Sequence, residues 1–206
     1  MRVHSSPTLN GGASDFGYTI IDTVSALGIR ARRAFDFCSG YGGVGYRLLD
    51  RGLCDHLVLG DINPEALDLA RGTIIENDLR NVTIYETDCL DQIPDHELWD
   101  LVVSNPPHFP ESDLVSLWEN RPETRDVPLE YFHERIWSDP DWTIHERFFE
   151  SVGDHLTPDG TIVICENGIG ATPGDFDQMI RDNGFSYEVR RQISWDPFFV
   201  LVIRRA

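Results

Sequence analysis

AFDFCSGYGGVG, residues 34–45, is a short apolar run carrying one acid that breaks into a loop with glycines at 40, 42, 43 and 45. An apolar strand running into such a loop and then into a helix from Val44 to Arg51 is a nucleotide-holding turn. Glycine lets the backbone take positive φ and lets a ligand approach where a Cβ would collide. Taken alone, a glycine-rich turn fits an ordinary tight βα turn about as well.

The acids beyond the loop stand at informative distances from it. A second apolar strand, LVLGD, ends at Asp61 and leads into a helix, which puts a carboxylate about 20 residues after the glycines, where an acid reaches a ribose diol. A third strand, VTIYE, runs on to Asp88, and a fourth, from about Leu98 to Val103, ends in Ser104-Asn105-Pro106-Pro107-His108.

These residues resemble the class I S-adenosylmethionine (SAM) methyltransferases, in the branch that carries Asn-Pro-Pro-Tyr/Phe after strand four, here with His108 in the aromatic position. That branch includes release-factor glutamine methyltransferases and N6-adenine and guanine-N2 methyltransferases. The resemblance covers roughly Ala31 to Ala206. It departs from the family pattern at His108 and at Cys38, which stands where the first glycine of the loop is usual.

The resemblance implies a Rossmann-like α/β fold with a seven-stranded, mostly parallel sheet, an antiparallel C-terminal edge and helices on both faces. Strands are expected near 34–38, 57–61, 82–86, 99–104 and 161–166, with helices near 44–51, 64–77, 143–155 and 173–183, an order that requires right-handed crossovers. The runs FSYEVRRQIS and FFVLVIRR, separated by Trp195-Asp196-Pro197, read as an antiparallel hairpin at the sheet edge. Residues 14–29 read as a helix preceding strand one, and residues 1 to about 13 as a mobile arm.

By length, residues 1–206 form one domain, with residues 1–30 as N-terminal arm and helix. The segment from Phe109 to Trp142 is dense in acids and aromatics and broken by prolines, and it reads as a substrate cover with short helices around 114–120 and 129–136. A homodimer contact is its competing use.

Composition narrows the partners. The formal charge is −18, and all 17 basic residues are arginines. Proteins that grip nucleic acid neutralise phosphates with clustered cations, so this balance speaks against DNA or RNA and favours a small or cationic substrate. No apolar stretch approaches a membrane span and no signal peptide is recognisable, so the expected location is cytoplasmic. Cys38, Cys54, Cys89 and Cys165 lack metal-ligand or disulfide spacing.

The resemblance also implies roles. Asp36 and the backbone of Cys38, Ser39, Gly40 and Gly42 hold the methionine end of SAM, Asp61 the ribose hydroxyls, and Asp88 with Cys89 the adenine edge, with Ile62 packed on the adenine face. S-adenosylhomocysteine is the product.

The Asn-Pro-Pro turn carries a logic of its own. Proline donates no backbone hydrogen bond, so the turn exposes carbonyls beside the side-chain carbonyl of Asn105. Two acceptors aimed at one point suit an NH2 group on a planar carbon, whose lone pair then faces the methyl donor.

Amide, base amine and guanidinium all fit, but only guanidinium is cationic, and it requires carboxylates to orient it. The available acids are Glu119, Glu123, Glu130 and Glu134 in the cover and Glu166 at the end of strand five, with Tyr18, Pro106, Pro107, His108 and Phe109 as further acceptor-site residues. In character the chain resembles the small arginine N-methyltransferases of natural-product pathways. The alternatives are a protein glutamine or RNA N-methyltransferase and, in another class, a SAM- or nucleotide-binding module without catalysis.

Overall fold

The computed structural model describes residues 1–6, 9, 15–107, 109, 138–168, 170–190 and 198–206. Helix α1 (Asp15–Ala26) precedes strand β1 (Ala31–Phe37), then α2 (Gly43–Asp50), β2 (Cys54–Asp61), α3 (Pro64–Glu76), β3 (Val82–Glu86) and β4 (Trp99–Ser104). A short 3₁₀ turn (Pro140–Trp142) leads into α4 (Thr143–His155), followed by β5 (Leu156–Asn167), α5 (Pro173–Asp182), β6 (Phe185–Arg190) and β7 (Phe198–Arg205).

The strands form one sheet in the order β3-β2-β1-β4-β5-β7-β6. The first five are parallel, while β7 runs antiparallel between β5 and the edge strand β6. Seven strands, four parallel pairings and the antiparallel C-terminal edge match the expected architecture.

Alternation along each strand sorts the core into two layers. Phe35, Phe37, Trp99 and Val102 face α4 and α5, meeting Phe148, Phe149, Phe176 and Ile180. Ala34, Leu57, Leu59, Leu101 and Val103 face the other way, onto Ile20, Ile21 and Val24 of α1 and Val44 and Leu48 of α2. Helices therefore cover both faces, and the central strands are buried on both sides, as a parallel sheet requires.

Local chemistry fixes the helix starts. Asn63 caps α3 by accepting from the N–H of Glu65, with Pro64 at the first helical position. Thr172 and Asp175 close a capping box on α5.

Two expectations are corrected. Residues 1–6 are not a mobile arm. They are strapped along α3, with Arg2 and His4 both paired to Glu76, the His4 N–H donated to Thr73 Oγ1 and Asn77 donating to the Arg2 carbonyl. The His4 ring lies where a side chain on Gly72 would project, since a Cβ there would sit 2.6 Å from His4 Nδ1. Strand β5 begins at Leu156 rather than 161, because its Thr-Pro-Asp-Gly stretch is taken up by a bulge: Trp99 pairs with Leu156 and Leu101 with Thr161. The short helices expected at 114–120 and 129–136 lie outside the described residues.

Candidate functional site

Ligands bind outside the carboxyl ends of strands in sheets of this kind, where the strand order reverses. Here β1 lies between β2 and β4, and its end opens into a cavity of about 160 Å³. The floor is Asp36, Cys38, Ser39 and Gly40; one wall is Asp61, Ile62 and Asn63; another is Asp88 and Cys89; and Asn105 and Pro107 come from the turn after β4. Ten of the sequence-predicted site residues thus converge on one space.

Asp36 is buried near the end of β1, and its Oδ2 accepts from the N–H of Gly45 at 2.7 Å, in the first turn of α2. Burial pushes its carboxyl well above the usual range, against the pull of that N–H, with Asp61 adding to the rise. Asp61 accepts from Gly40 N–H at 2.7 Å through Oδ2 and from Asn63 N–H at 2.8 Å through Oδ1, so it ties the glycine loop to the cap of α3. Burial raises its pKa as well, while the hydrogen bonds from Asn63, Gly40 and Ile62 hold the rise back.

Gly42 does not line the cavity. It is the N-cap of α2 at φ 85°, and a Cβ there would lie 2.7 Å from Tyr46 Cε2, so packing and backbone conformation together require glycine. Cys38 adopts φ 53° although it is not glycine, and Cys89 adopts φ 54°. Burial pushes both thiols up, Cys89 to about 12, so neither is a thiolate nucleophile at neutral pH.

Asp88 shares Arg147 of α4 with Asp91, at 2.9 Å in each case. Ile62 stands 55 % exposed on the cavity wall, an apolar side chain available to a planar ligand.

At the other end of the cavity, Ser104 Oγ donates to the Phe37 carbonyl and locks the tip of β4 to β1. The next residue, Asn105, lines the cavity with its Oδ1 buried and without a hydrogen-bond partner among the described residues. An acceptor in that position is costly unless a ligand supplies the donor.

Four predicted acceptor-site residues lie elsewhere. Tyr18 is 47 % exposed with the Arg47 guanidinium over its ring, because it projects from the outer side of α1. Pro106 is buried but does not line the cavity. Phe109 is fully buried and bridged to Ser138. Glu166 turns into the core, where its Oε1 meets His145 Nε2 at 3.0 Å. His108, Glu119, Glu123, Glu130 and Glu134 lie outside the described residues.

Sequence reasoning missed Leu9, Ala66, Ser138 and Ile144, which also line the cavity, as well as Phe37, Val44, Gly60, Asn63 and Thr87 beside the predicted positions. Only their neighbours gave a signal: Ala66 comes just after the readable Asn63-Pro64 helix start.

The site fits SAM by its own chemistry. A glycine loop approaches from one strand, carboxylates stand at the ends of the next, and an orphaned acceptor faces them across a partly apolar cavity. These features fit the class I SAM-dependent methyltransferase fold.

The profile of the methyltransferase small domain family matches residues 12–118, over half of the sequence, and the chain belongs to that family. A release factor glutamine methyltransferase of Leptospira interrogans is 29 % identical over 94 residues, which is 45 % of this chain and 33 % of that protein. The chain thus spans about a third of this relative's length.

Among solved structures, a SAM-dependent methyltransferase from Clostridium acetobutylicum superposes with TM-score 0.65 at 8 % identity, covering 96 % of this chain and 92 % of that one. The Lactobacillus delbrueckii ribosomal protein L11 methylase gives 0.63 at 16 %, covering 95 % and 80 %. The Thermus thermophilus 16S rRNA N2 G1207 methyltransferase RsmC, in complex with AdoMet and guanosine, gives 0.64 at 13 %, covering 96 % and 43 %. At these identities the likeness is one of fold. Among the described residues, no helix is long and apolar enough to cross a membrane.

Proposed function

We infer that this chain is an N-methyltransferase of the Asn-Pro-Pro type acting on a planar nitrogen of a small cationic substrate, the guanidino group of L-arginine first. The observation that carries the reading is the buried, unpartnered Oδ1 of Asn105 in the wall of the cavity. A buried carbonyl oxygen without a donor stabilises a ligand N–H by the full cost of leaving it unmet.

In this reading Asp36 and the loop from Cys38 to Gly40 hold the amino-acid end of the cofactor, Asp61 the ribose, and Asp88, Cys89 and Ile62 the base. When bound, SAM supplies an electrophilic methyl group on a sulfonium. Asn105, with the N–H-free prolines 106 and 107 behind it, accepts the N–H bonds of the acceptor and fixes the direction of its lone pair.

His108, Glu119, Glu123, Glu130 and Glu134 remain part of the proposed acceptor site, with one of the glutamates taking the released proton. Support for a cation comes from the field. The chain carries a net charge of −18 and Asp36 and Asp61 line the cavity, while Asp88 and Asp139 have Arg147 and His145 as counter-charges.

The relatives' names favour a second reading, since one is a glutamine and another a guanine-N2 methyltransferase. The absence of lysine and the large negative charge weigh against an RNA acceptor.

The test is incubation of the purified chain with SAM and free L-arginine, read by mass spectrometry. A mass gain of one methyl group on arginine is expected. Asn105→Ala should abolish transfer while calorimetry still detects S-adenosylhomocysteine binding. Transfer only to a glutamine peptide or to RNA would replace this substrate with the second reading, and binding without turnover on any of these acceptors would favour a non-catalytic module.

A further inference from the structure

Three ionisable side chains that the reaction does not use are stacked directly behind the cavity wall. Asp139, His145 and Glu166 are each no more than 1 % exposed. His145 Nδ1 lies 2.6 Å from Asp139 Oδ2, and its Nε2 lies 3.0 Å from Glu166 Oε1. Ionised carboxylate oxygens only accept, so with both acids ionised the imidazole satisfies both contacts with both nitrogens protonated; burial pushes the Glu166 carboxyl up while the charge of His145 pulls it down. The arrangement is an imidazolium held between a loop carboxylate and a strand carboxylate.

Such a cluster is an expensive way to fill a core. Each buried charge costs several kcal/mol before pairing returns it, and apolar side chains of similar volume commonly do as well or better. Its use lies in what it ties together. The same Asp139 carboxylate accepts the backbone N–H of Ile144 at 2.8 Å and of His145 at 3.1 Å, so it caps the first turn of α4. Its own N–H is donated to the Phe109 carbonyl at 3.2 Å. Between cap and helix, Asp141 and Trp142 take φ 55° and 60° in succession, a left-handed turn that costs non-glycine residues about 1 kcal/mol or more each. The turn persists because the cluster holds both of its ends.

The two residues flanking this knot, Ser138 and Ile144, line the cavity next to Asp88 and Cys89. The same wall is continued by Cys89 Sγ near the Ile144 carbonyl and by Arg147 on Asp88.

We propose that Asp139, His145 and Glu166 are a positioning cluster that sets the cavity wall formed by Ser138 and Ile144 and thereby governs cofactor affinity. Among the described residues the charged groups facing His145 are Asp139 from the segment before α4 and Glu166 from β5, while Trp142 and Phe176 of α5 add uncharged rings at 5.5 and 5.0 Å. Burial alone would lower the pKa of His145, but the Glu166 charge and the hydrogen bonds to Asp139 and Glu166 raise it to about 9. The cluster is therefore intact at neutral pH and discharges in the alkaline range.

The inference rests on the cofactor reading of the cavity and needs no identified acceptor. Calorimetry of S-adenosylhomocysteine with the full chain, between pH 7 and 10, tests it. Wild-type affinity should fall about tenfold as pH passes through about 9. His145→Gln should show the weakened affinity already at pH 7 and a flatter profile above it, the ligand's own titration being common to both. Asp139→Asn, which keeps the size of the side chain and can keep the backbone caps, should show an intermediate loss.

A variant that unfolds at lower temperature yet binds like wild type at pH 7 would overturn the proposal and leave a structural cluster only. If His145→Gln does not fold, the wild-type profile decides together with the imidazole titration followed by NMR: affinity that stays level through that titration overturns the proposal. No binding by the wild type at pH 7 would overturn the cofactor reading and this proposal with it.

Discussion

Replacing Gly45 by alanine sets two effects of opposite sign against each other, and the structure decides which wins. In a helix interior alanine is favoured over glycine by about 1 kcal/mol. At position 45, however, the new Cβ would lie 2.8 Å from Leu57 Cδ1, 2.8 Å from Leu59 Cδ2 and 3.0 Å from Asp36 Oδ2. Both leucines are fully buried, so neither can swing into solvent. Overpacking of this kind costs about 1–3 kcal/mol. Relief by moving α2 would stretch the 2.7 Å hydrogen bond from Gly45 to Asp36, a further cost of about 0.5–1.5 kcal/mol. The net expectation is a loss of about 1–3 kcal/mol, visible in urea denaturation as a lower midpoint at unchanged slope, with weaker S-adenosylhomocysteine binding because Asp36 floors the cavity. Gly153 is the control, because it lies within α4 and the nearest atom to its added Cβ is Phe185 Cζ at 3.8 Å, an ordinary contact. Gly153→Ala should stabilise by up to about 1 kcal/mol. If Gly45→Ala matches Gly153→Ala in sign, the tight fit of α2 on the sheet is not what demands glycine there.

Asp61→Ala removes the carboxylate proposed to hold the ribose hydroxyls, together with the acceptor shared by Gly40 and Asn63, and should weaken S-adenosylhomocysteine binding about a hundredfold by calorimetry, as expected for losing two charge-assisted hydrogen bonds to the ligand. Glu97, 2 % exposed, accepts from Arg33, Tyr85 and Trp99 away from the cavity, so Glu97→Ala should cost about 1.5–3 kcal/mol in denaturation, Arg33 being 29 % exposed and able to reach water, while the affinity of the remaining folded protein is unchanged. Because His145 is raised from 6.5 to about 9, the stability it contributes is full below pH 6.5 and is lost as pH rises through 9, a fall of at most about 3 kcal/mol in denaturation midpoints that His145→Gln should flatten. At Cys38, φ 53° reverses the usual ranking: Cys38→Gly sheds the left-handed cost of about 1 kcal/mol that Cys38→Ala keeps, so glycine should give the more stable protein of the two, and the opposite order in urea would refute the strain.

How much of this was legible depended on the range over which each signal acts. Local signals read well. The Asn63-Pro64 start of α3 and the Thr172-to-Asp175 box on α5 are contiguous chemistry, and the boundaries of β3, β4 and α4 fall where periodicity puts them. Bulged β5 was shortened because Thr-Pro-Asp-Gly is turn chemistry unless a neighbouring strand absorbs it. Residues 1–6 were misread because Ser, Pro and Gly nearby suggest an arm, whereas the docking depends on Glu76, Thr73 and Asn77, some 70 residues away. The residues on the glycine-loop side of the cavity were legible because each lies at or just past the end of a strand; Glu166 was misassigned because the same logic applied to β5, and nothing local told that His145, 21 residues earlier, would pair with it.

The backbone itself points to the same place. Among the described residues five that are not glycine have positive φ, and four of them, Cys38, Cys89, Asp141 and Trp142, border the cavity or the turn that supplies its wall. Each costs about 1 kcal/mol or more and persists only where the surroundings overdetermine it. For Cys38 those surroundings are the Ser39 N–H on the Gly60 carbonyl and the Gly40 N–H on Asp61; for Asp141 and Trp142 they are the capped carboxylate of Asp139. Glycine takes positive φ at 28, 40, 42, 52 and 184, and of these Gly40 also lines the cavity. Cys38 on the floor and Cys89 on a wall put their side chains against the cavity, while Asp141 and Trp142 form the turn between Ser138 and Ile144, so strain and buried charge gather around one cavity.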